Sequence, residues 1–314
     1  MRGGSQGDSP VSQTAGSKGA GTLPLDIASL AACSLIWGTT WRAIKLEVGP
    51  VPVVESVIYL FALASALLFA LCAATGRSVR LTPRQHLEAL GQGALAFGVQ
   101  YVLVYTAEQT LPSGALAVIF ATVVFANLIL FRIAFGQRAS PLAWLATLLG
   151  LLGVAALSTS QLQTPGGAAD QGLAIGLAVA GVAAAACGNM FAARVQRAGV
   201  AIAPGTAWAM GYGAGLLALW VLATGQPWRF EATAGYVGGL VYLAVLGSVT
   251  AFLVYYSLAR RRGYTFAAYV AALTPPTAMI ISSVTESTRW GLGAFAGLGL
   301  VLAGQVLLIY GSKS

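Results

Sequence analysis

Ten apolar runs, each near the length that crosses a lipid bilayer, divide this chain between residues 25 and 311. Glycine, proline and charged residues punctuate them at about Leu25–Val48, Val53–Thr75, Leu87–Thr110, Ala115–Phe135, Pro141–Ser158, Gly172–Val195, Pro204–Thr224, Gly235–Ala259, Tyr264–Val284 and Gly291–Gly311. A helix needs about 20 such residues to cover a hydrocarbon core of about 30 Å. Only 8% of the chain is charged and 57% is hydrophobic, with a mean hydropathy of +0.79. Soluble domains carry about 25% charged residues. Too few charges remain here to coat a surface facing water, so the chain reads as an all-α integral membrane protein with ten transmembrane helices.

The net charge of +8 is carried by 17 scattered Lys and Arg residues. Such scatter on an apolar chain does not make a nucleic-acid surface. It is the loop excess expected on the cytoplasmic side of a membrane. With a cytoplasmic N-terminus and alternating helices, Arg2, Lys18, Arg77, Arg80, Arg84, Arg132, Arg138, Arg194, Arg197, Arg260, Arg261, Arg262 and Lys313 fall inside. Only Arg42, Lys45, Arg229 and Arg289 fall outside. The bias predicts that both termini are cytoplasmic, in the inner (plasma) membrane of a bacterium. Residues 1–22 are rich in Gly, Ser and Gln with no apolar core, and read as a disordered cytoplasmic tail rather than a signal peptide. Cys33, Cys72 and Cys187 lie inside apolar runs without a metal-ligand spacing, and read as small buried hydrophobes.

The chain also repeats. Gly38 and Gly188 are 150 residues apart, while Gly114 and Gly263, Gly150 and Gly299, and Gln137 and Glu286 are each 149 apart. Two five-helix units follow, at residues 23–160 and 172–311, with a linker over 161–171. Five is odd, so the second unit must be inverted in the bilayer. Inverted repeats place a substrate site near the midplane between the halves.

The first helix carries Trp37-Gly38-Thr39-Thr40-Trp41-Arg42-Ala43-Ile44-Lys45. In the second unit, Thr274-Pro275-Pro276 precede Glu286, Gly299 and Gly304. Together these segments resemble the EamA type of the drug/metabolite transporter superfamily, over about residues 25–310. The first unit departs from the pattern, with Ala126-Asn127 in place of the prolines and Gln137 in place of the glutamate. The resemblance implies ten helices, a central cavity between the repeats and efflux from the cytoplasm. The aromatic-rich core is most similar to the aromatic and neutral amino-acid exporters.

Residue chemistry points the same way. Trp37, Trp41, Phe97, Tyr101, Tyr105, Trp208, Tyr212, Phe252, Tyr255 and Tyr256 fall within or near the middles of their runs, away from the usual interfacial belt. Trp37, Trp41, Tyr101, Tyr105, Trp208, Tyr212 and Tyr255 are the candidate aromatic walls of a cavity. Thr39, Thr40, Gln100 and Asn189 are the candidate partners of a carboxylate or ammonium group. The alternative for each is ordinary helix packing. Arg42 or Lys45 is expected to pair with Glu108 or Glu55 in an outer gate, the alternative being solvated helix ends. Gly211-Tyr212-Gly213-Ala214-Gly215, with Gly211 and Gly215 at GxxxG spacing, reads first as a close-packing stretch and alternatively as a hinge at Gly213, and Pro275 and Pro276 as a bend in the ninth helix. No acidic residue sits mid-helix, so facilitated diffusion is at least as well supported as proton coupling. Glu108 is the best candidate proton site.

No catalytic set appears. The single histidine, His86, is placed in a basic cytoplasmic loop, so a zinc site or a histidine triad is not supported. There is no Walker sequence for ATP hydrolysis. The expected partners are a small-molecule substrate and the lipid bilayer, with no nucleic acid, no cofactor, no metal and a monomeric state. The rivals are a carrier of sugar phosphates or nucleotides, which needs more cavity cations, an intramembrane lipid-modifying enzyme, and a channel.

Overall fold

The computed structural model describes residues 23–49, 51–136, 140–162, 168–262 and 269–311. The N-terminal tail, Gln137 and Gly263 of the repeat comparison, and the side chains of Tyr256, Arg260 and Arg262 lie outside what is described. Apart from an isolated bridge between Val48 and Val51, the described residues form helices and their connections, with no strand. These helices are α1 (Leu23–Glu47), α2 (Val53–Ala74), α3 (Pro83–Glu108), α4 (Ser113–Phe135), α5 (Pro141–Leu162) and α6 (Ala168–Arg197). There follow α7 (Ile202–Thr224), α8 (Ala234–Tyr242, Leu243–Thr250 and Ala251–Arg262 in one rod), α9 (Tyr269–Thr285) and α10 (Leu292–Gly311).

Seven of these, α2 to α8, are long and apolar enough to cross a membrane, with mean hydropathy from 1.3 to 2.5. The sequence reading expected ten. Helix α1 has the length, at 25 residues, but its central Thr, Trp and Arg residues lower its hydropathy. Helices α9 and α10 are apolar but shorter within the described residues, at Val270–Thr285 and Leu292–Leu308. Backbone polar groups find no partner in lipid, so a chain of this composition satisfies them within helices.

Local chemistry sets the ends. Thr82 and Gln85 form a reciprocal capping box at the start of α3, at 3.3 and 2.8 Å, with Pro83 as the first helical residue. The helix therefore starts before the expected apolar run. Arg84 and His86, expected in a loop, lie on its first turn. The predicted linker is shorter than 161–171, because α5 runs to Leu162 and α6 begins at Ala168. Likewise α8 continues through Arg262 instead of stopping at Ala259.

Two rods change register in their middles. In α3, residues Gly93–Val99 form a π segment, as do Leu243–Thr250 in α8. Their starts are 150 residues apart, the offset of the glycine pairs. Helix α4 is interrupted at Ala121-Thr122, upstream of Ala126-Asn127. There the Gln305 amide donates to the Ala121 carbonyl at 3.1 Å. Helix α9 stays continuous through Pro275-Pro276, although both lack a backbone donor.

Packing joins the two halves of the chain: α5 lies along α10, α2 along α7, α1 along α9 and α4 along α6. Gly153 and Gly297 meet at the first contact, where a Cβ on either would fall 2.7 or 2.6 Å from the other's carbonyl oxygen. Small residues let membrane helices approach this closely. Gly213, read as a hinge, plays the same part between α7 and α3. A Cβ there would sit 2.8 Å from the Gly93 carbonyl oxygen and 3.0 Å from Phe97 Cβ. Gly213→Leu should therefore force the π segment of α3 off α7 and cost about 1–3 kcal/mol or more. Thermal unfolding in detergent should show a lower midpoint than wild type.

Candidate functional site

The site grows from α1, whose two sides face different neighbours. Near its start, the fully buried carboxylate of Asp26 accepts from Arg261 Nε at 2.7 Å, and Arg261 also donates to Ser29 Oγ at 2.9 Å. This clasps α1 to the end of α8. At the same end of the bundle, Arg194 of α6 lies 3.7 Å from Glu88 of α3. Arg197 stands over the Phe135 ring at 3.9 Å. We refer to this as the basic end.

One turn further along α1, buried Cys33 faces the Ala251 carbonyl at 3.7 Å. Trp37 then packs between Phe252 and Tyr255, at ring separations of 5.5 and 5.4 Å. Its indole N–H donates to the Gly247 carbonyl at 3.1 Å, inside the π segment of α8. A π turn breaks the ordinary helical hydrogen-bond register, and such turns are frequent at functional sites. Thr39 Oγ1 is hydrogen-bonded to the Tyr242 hydroxyl and to the Leu35 and Ile36 carbonyls. Thr40 donates to the Trp37 carbonyl at 2.8 Å. Trp37, Thr39, Thr40 and Tyr255 of the predicted set are thus gathered on the α1–α8 face.

The other end is acidic. Lys45 Nζ donates to the main-chain carbonyls of Glu108 and Leu111, where α3 ends and the turn to α4 begins. A cation is favourable at a helix C-terminus. The expected pairing of Lys45 with the Glu108 carboxylate is therefore corrected: the ammonium takes the backbone. The Glu108 carboxyl, fully buried, instead has Ser113 Oγ at 2.8 Å from Oε1. The Ser113 N–H donates to Glu286 Oε2 at 3.2 Å, and Ser113 Oγ also lies 3.2 Å from the Trp41 carbonyl. Glu47, again fully buried, accepts from the Tyr105 hydroxyl at 3.0 Å. Glu55 is buried in the first turn of α2. Arg42 is half-buried and makes no ion pair within 4 Å among the described residues. It remains in electrostatic reach of Glu108. Trp41 is buried edge-on to Phe120 at 5.6 Å.

The remaining predicted residues separate. Tyr101 is edge-on to Phe61 at 4.5 Å and lies 6.2 Å from Tyr105 on the inner face of α3. Gln100 is buried in the same helix. Asn189 Nδ2 donates to Asn127 Oδ1 at 3.2 Å, joining α6 to α4. The polar atoms of Trp208 and Tyr212 reach towards the basic end. Trp208 donates to the Val79 carbonyl at 2.8 Å, and the Tyr212 hydroxyl is 2.8 Å from His86 Nδ1. They were placed by their position in an apolar run, which carries no information on the partner across the helix. Tyr212 also borders an open groove of about 460 Å³ with Leu90, Gly211 and Leu216, away from α1. Sequence reasoning missed Asp26, Ser29, Glu47, Ser113 and Tyr242. The signal available for the first, third and fourth was a polar residue close to the end of an apolar run.

Among the described residues, no group of three His, Cys, Asp or Glu side chains has the geometry to hold a metal ion. Arg261→Ala should unclasp α1 from α8 and expose Cys33. Labelling of Cys33 by a membrane-impermeant maleimide, applied from the basic side, should rise several-fold over wild type.

Residues 26–159 match the EamA-like transporter family. The chain is 27% identical over 291 residues to the uncharacterized inner membrane transporter YedA of Escherichia coli strain K12, covering 92% of both chains. The YedA protein of Escherichia coli O157:H7 matches to the same extent. A solved crystal structure aligns with 90% of this chain and 96% of its own at a TM-score of 0.65 and 17% identity, a likeness of fold. Over residues 26–159 the chain is thus similar to the EamA-like transporter family, and over 92% of its length to an inner membrane transporter of E. coli.

Proposed function

We propose that the protein exports small neutral metabolites, with aromatic and other apolar amino acids favoured, across the bacterial inner membrane by alternating access. The observation that carries this reading is the placement of α1. Its indole and hydroxyl groups lie against α8 at mid-helix, with a charged clasp at Asp26–Arg261 on one side and the Lys45–Glu108–Ser113–Glu286 junction on the other. A pathway that opens first at one end and then at the other needs two separable closures around one fixed site.

The two-repeat reading has its own support. The pairings of α5 with α10, α2 with α7, α1 with α9 and α4 with α6 support two five-helix units related by a twofold axis in the membrane plane. The paired π segments keep the same offset. Ten helices in two inverted repeats, with units at 23–160 and 172–311, is the architecture proposed. The basic end, with Arg84, Arg132, Arg194 and Arg261, faces the cytoplasm by the loop-charge rule. The name of the E. coli relative, an inner membrane transporter, favours the same membrane.

In this reading Trp37, Phe252 and Tyr255 offer ring faces to an apolar side chain, each good aromatic pair adding about 0.5–1.5 kcal/mol beyond burial. Thr39, Thr40 and Arg42 offer donors to a carboxylate. The present packing is a closed state, in which Tyr242 and Gly247 occupy the groups the substrate would use. Purified protein in liposomes should take up labelled Trp and Phe with saturation, and Trp37→Ala should lower that uptake at least several-fold. Linear, non-saturable flux would indicate a channel, and absence of uptake for every neutral amino acid would overturn the substrate class.

A further inference from the structure

We propose that Glu108, with Glu286 across Ser113, forms a proton-binding site in the acidic-end closure, filled when that end is shut and emptied into water when it opens. The inference rests on the alternating-access reading and on its orientation of the acidic end towards the outside.

Counting hydrogens leads to it. A serine hydroxyl has one hydrogen to give. Ser113 Oγ has two acceptors within reach, the Trp41 carbonyl at 3.2 Å and Glu108 Oε1 at 2.8 Å. With Glu108 ionised, one of those contacts has no proton. With Glu108 protonated, its hydroxyl donates to Ser113 Oγ, and Ser113 donates onward to Trp41. Both contacts are then satisfied. The remaining oxygens point the same way, since Glu108 Oε2 and Glu286 Oε1 are buried with no hydrogen-bond partner among the described residues. A buried ion without partners costs several kcal/mol, whereas a neutral carboxyl avoids most of that.

Neither nearby cation forms an ion pair with Glu108 among the described residues, although Lys45 and Arg42 lie within electrostatic reach. From α1, Lys45 gives its hydrogens to backbone carbonyls, and Arg42 makes no ion pair among the described residues. On the same helix, Glu47 is engaged by Tyr105 of α3. Helix α2 brings Glu55, and the turn after α9 brings Glu286 and the exposed Arg289. Helix α6 carries Asp170 on its exposed first turn. Helix α4 has no ionisable residue before Arg132, at its far end. Two carboxyls held by one serine cannot both ionise cheaply, so the pair retains a proton. Opening the end to water hydrates both groups, and the proton leaves to solvent.

The test uses a variant with Cys33, Cys72 and Cys187 changed to Ala and Leu111→Cys as reporter, since Leu111 is fully buried beside the junction. Right-side-out membrane vesicles are labelled with an impermeant maleimide across external pH. Each point is normalised to denatured protein at the same pH, which removes the thiol's own titration. Labelling is expected to rise with pH through a midpoint. Glu108→Gln, fixed in the neutral form, should give low labelling with no pH dependence. Glu286→Gln removes a like charge and should lower the midpoint by about one pH unit, while Lys45→Met removes a cation and should raise it by about as much. These opposite displacements keep the test decisive even if Glu108→Gln fails to fold. Labelling that does not vary with pH in the reporter protein, or a midpoint unmoved by both substitutions, overturns the proposal. The same titration seen only in inside-out vesicles supports the proton site and overturns the orientation. Titration without any substrate transport supports the site and overturns the exporter reading.

Discussion

Hydrocarbon offers no hydrogen bonds, so a helix with polar groups at mid-depth has to be wrapped by other helices. Helix α1 is that element. Asp26, Ser29, Trp37, Thr39, Lys45 and Glu47 each find a partner on another helix, or on the turn that follows one. The neighbours that supply those partners come mainly from α8 along one face, and from α3 and the start of α4 towards the far end. The central position of α1 follows from the cost of leaving its polar atoms in lipid, estimated at several kcal/mol per unsatisfied group. Helices with less to satisfy, such as α5 and α10, pack through glycine and leave leucines exposed on their outer faces.

The two ends of α1 are closed by different chemistry. At the basic end a guanidinium and a carboxylate meet directly at 2.7 Å, and the Arg261 side chain keeps partial contact with the surroundings. Separating them exposes two ions to water, which hydrates both. At the acidic end the ammonium of Lys45 is spent on backbone carbonyls, and the carboxyls are held by hydroxyls and an amide N–H. Separation there releases backbone as well as side chains. The two closures therefore differ in what they respond to: salt and direct charge at the basic end, hydration and protonation state at the acidic one.

Much of the helical layout was legible in the sequence, because each apolar run has a length and each loop has punctuation. The repeat was visible through Gly38 and Gly188, and the same offset recurs in the two π segments. What the sequence did not reveal was angle. Runs such as Pro204–Thr224 are apolar nearly all round, so no periodic stripe says which way Trp208 or Gly213 points. Trp208 consequently looked like a cavity wall, although its N–H caps a carbonyl near the basic end. The start of α3 was misplaced because its first turn is polar, and only the Thr82–Gln85 capping box marks it. Glu108 was singled out as an ionisable group, but its link to Ser113 and Glu286 depends on a contact 173 residues apart in sequence. The two prolines of α9 do not interrupt the helix. The chain passes through them as one helix, with Thr274 and Thr277 bonding back to carbonyls a turn below.

The π segments have a consequence for how such a chain can change over time. Each one lies between the two ends of its rod, so it sets the rotational phase of one end against the other. Restoring an ordinary α-helix there with every residue kept would turn everything downstream by about 100°, whereas removing the one extra residue would leave the phase nearly unchanged. In α3 the far end holds Tyr105 and Glu108 against α1 and α4, and in α8 it holds Arg261 against Asp26. Any change that returns either segment to α register without shortening it therefore acts on the distant closures, and the two halves keep their correspondence while both hold the widened turn.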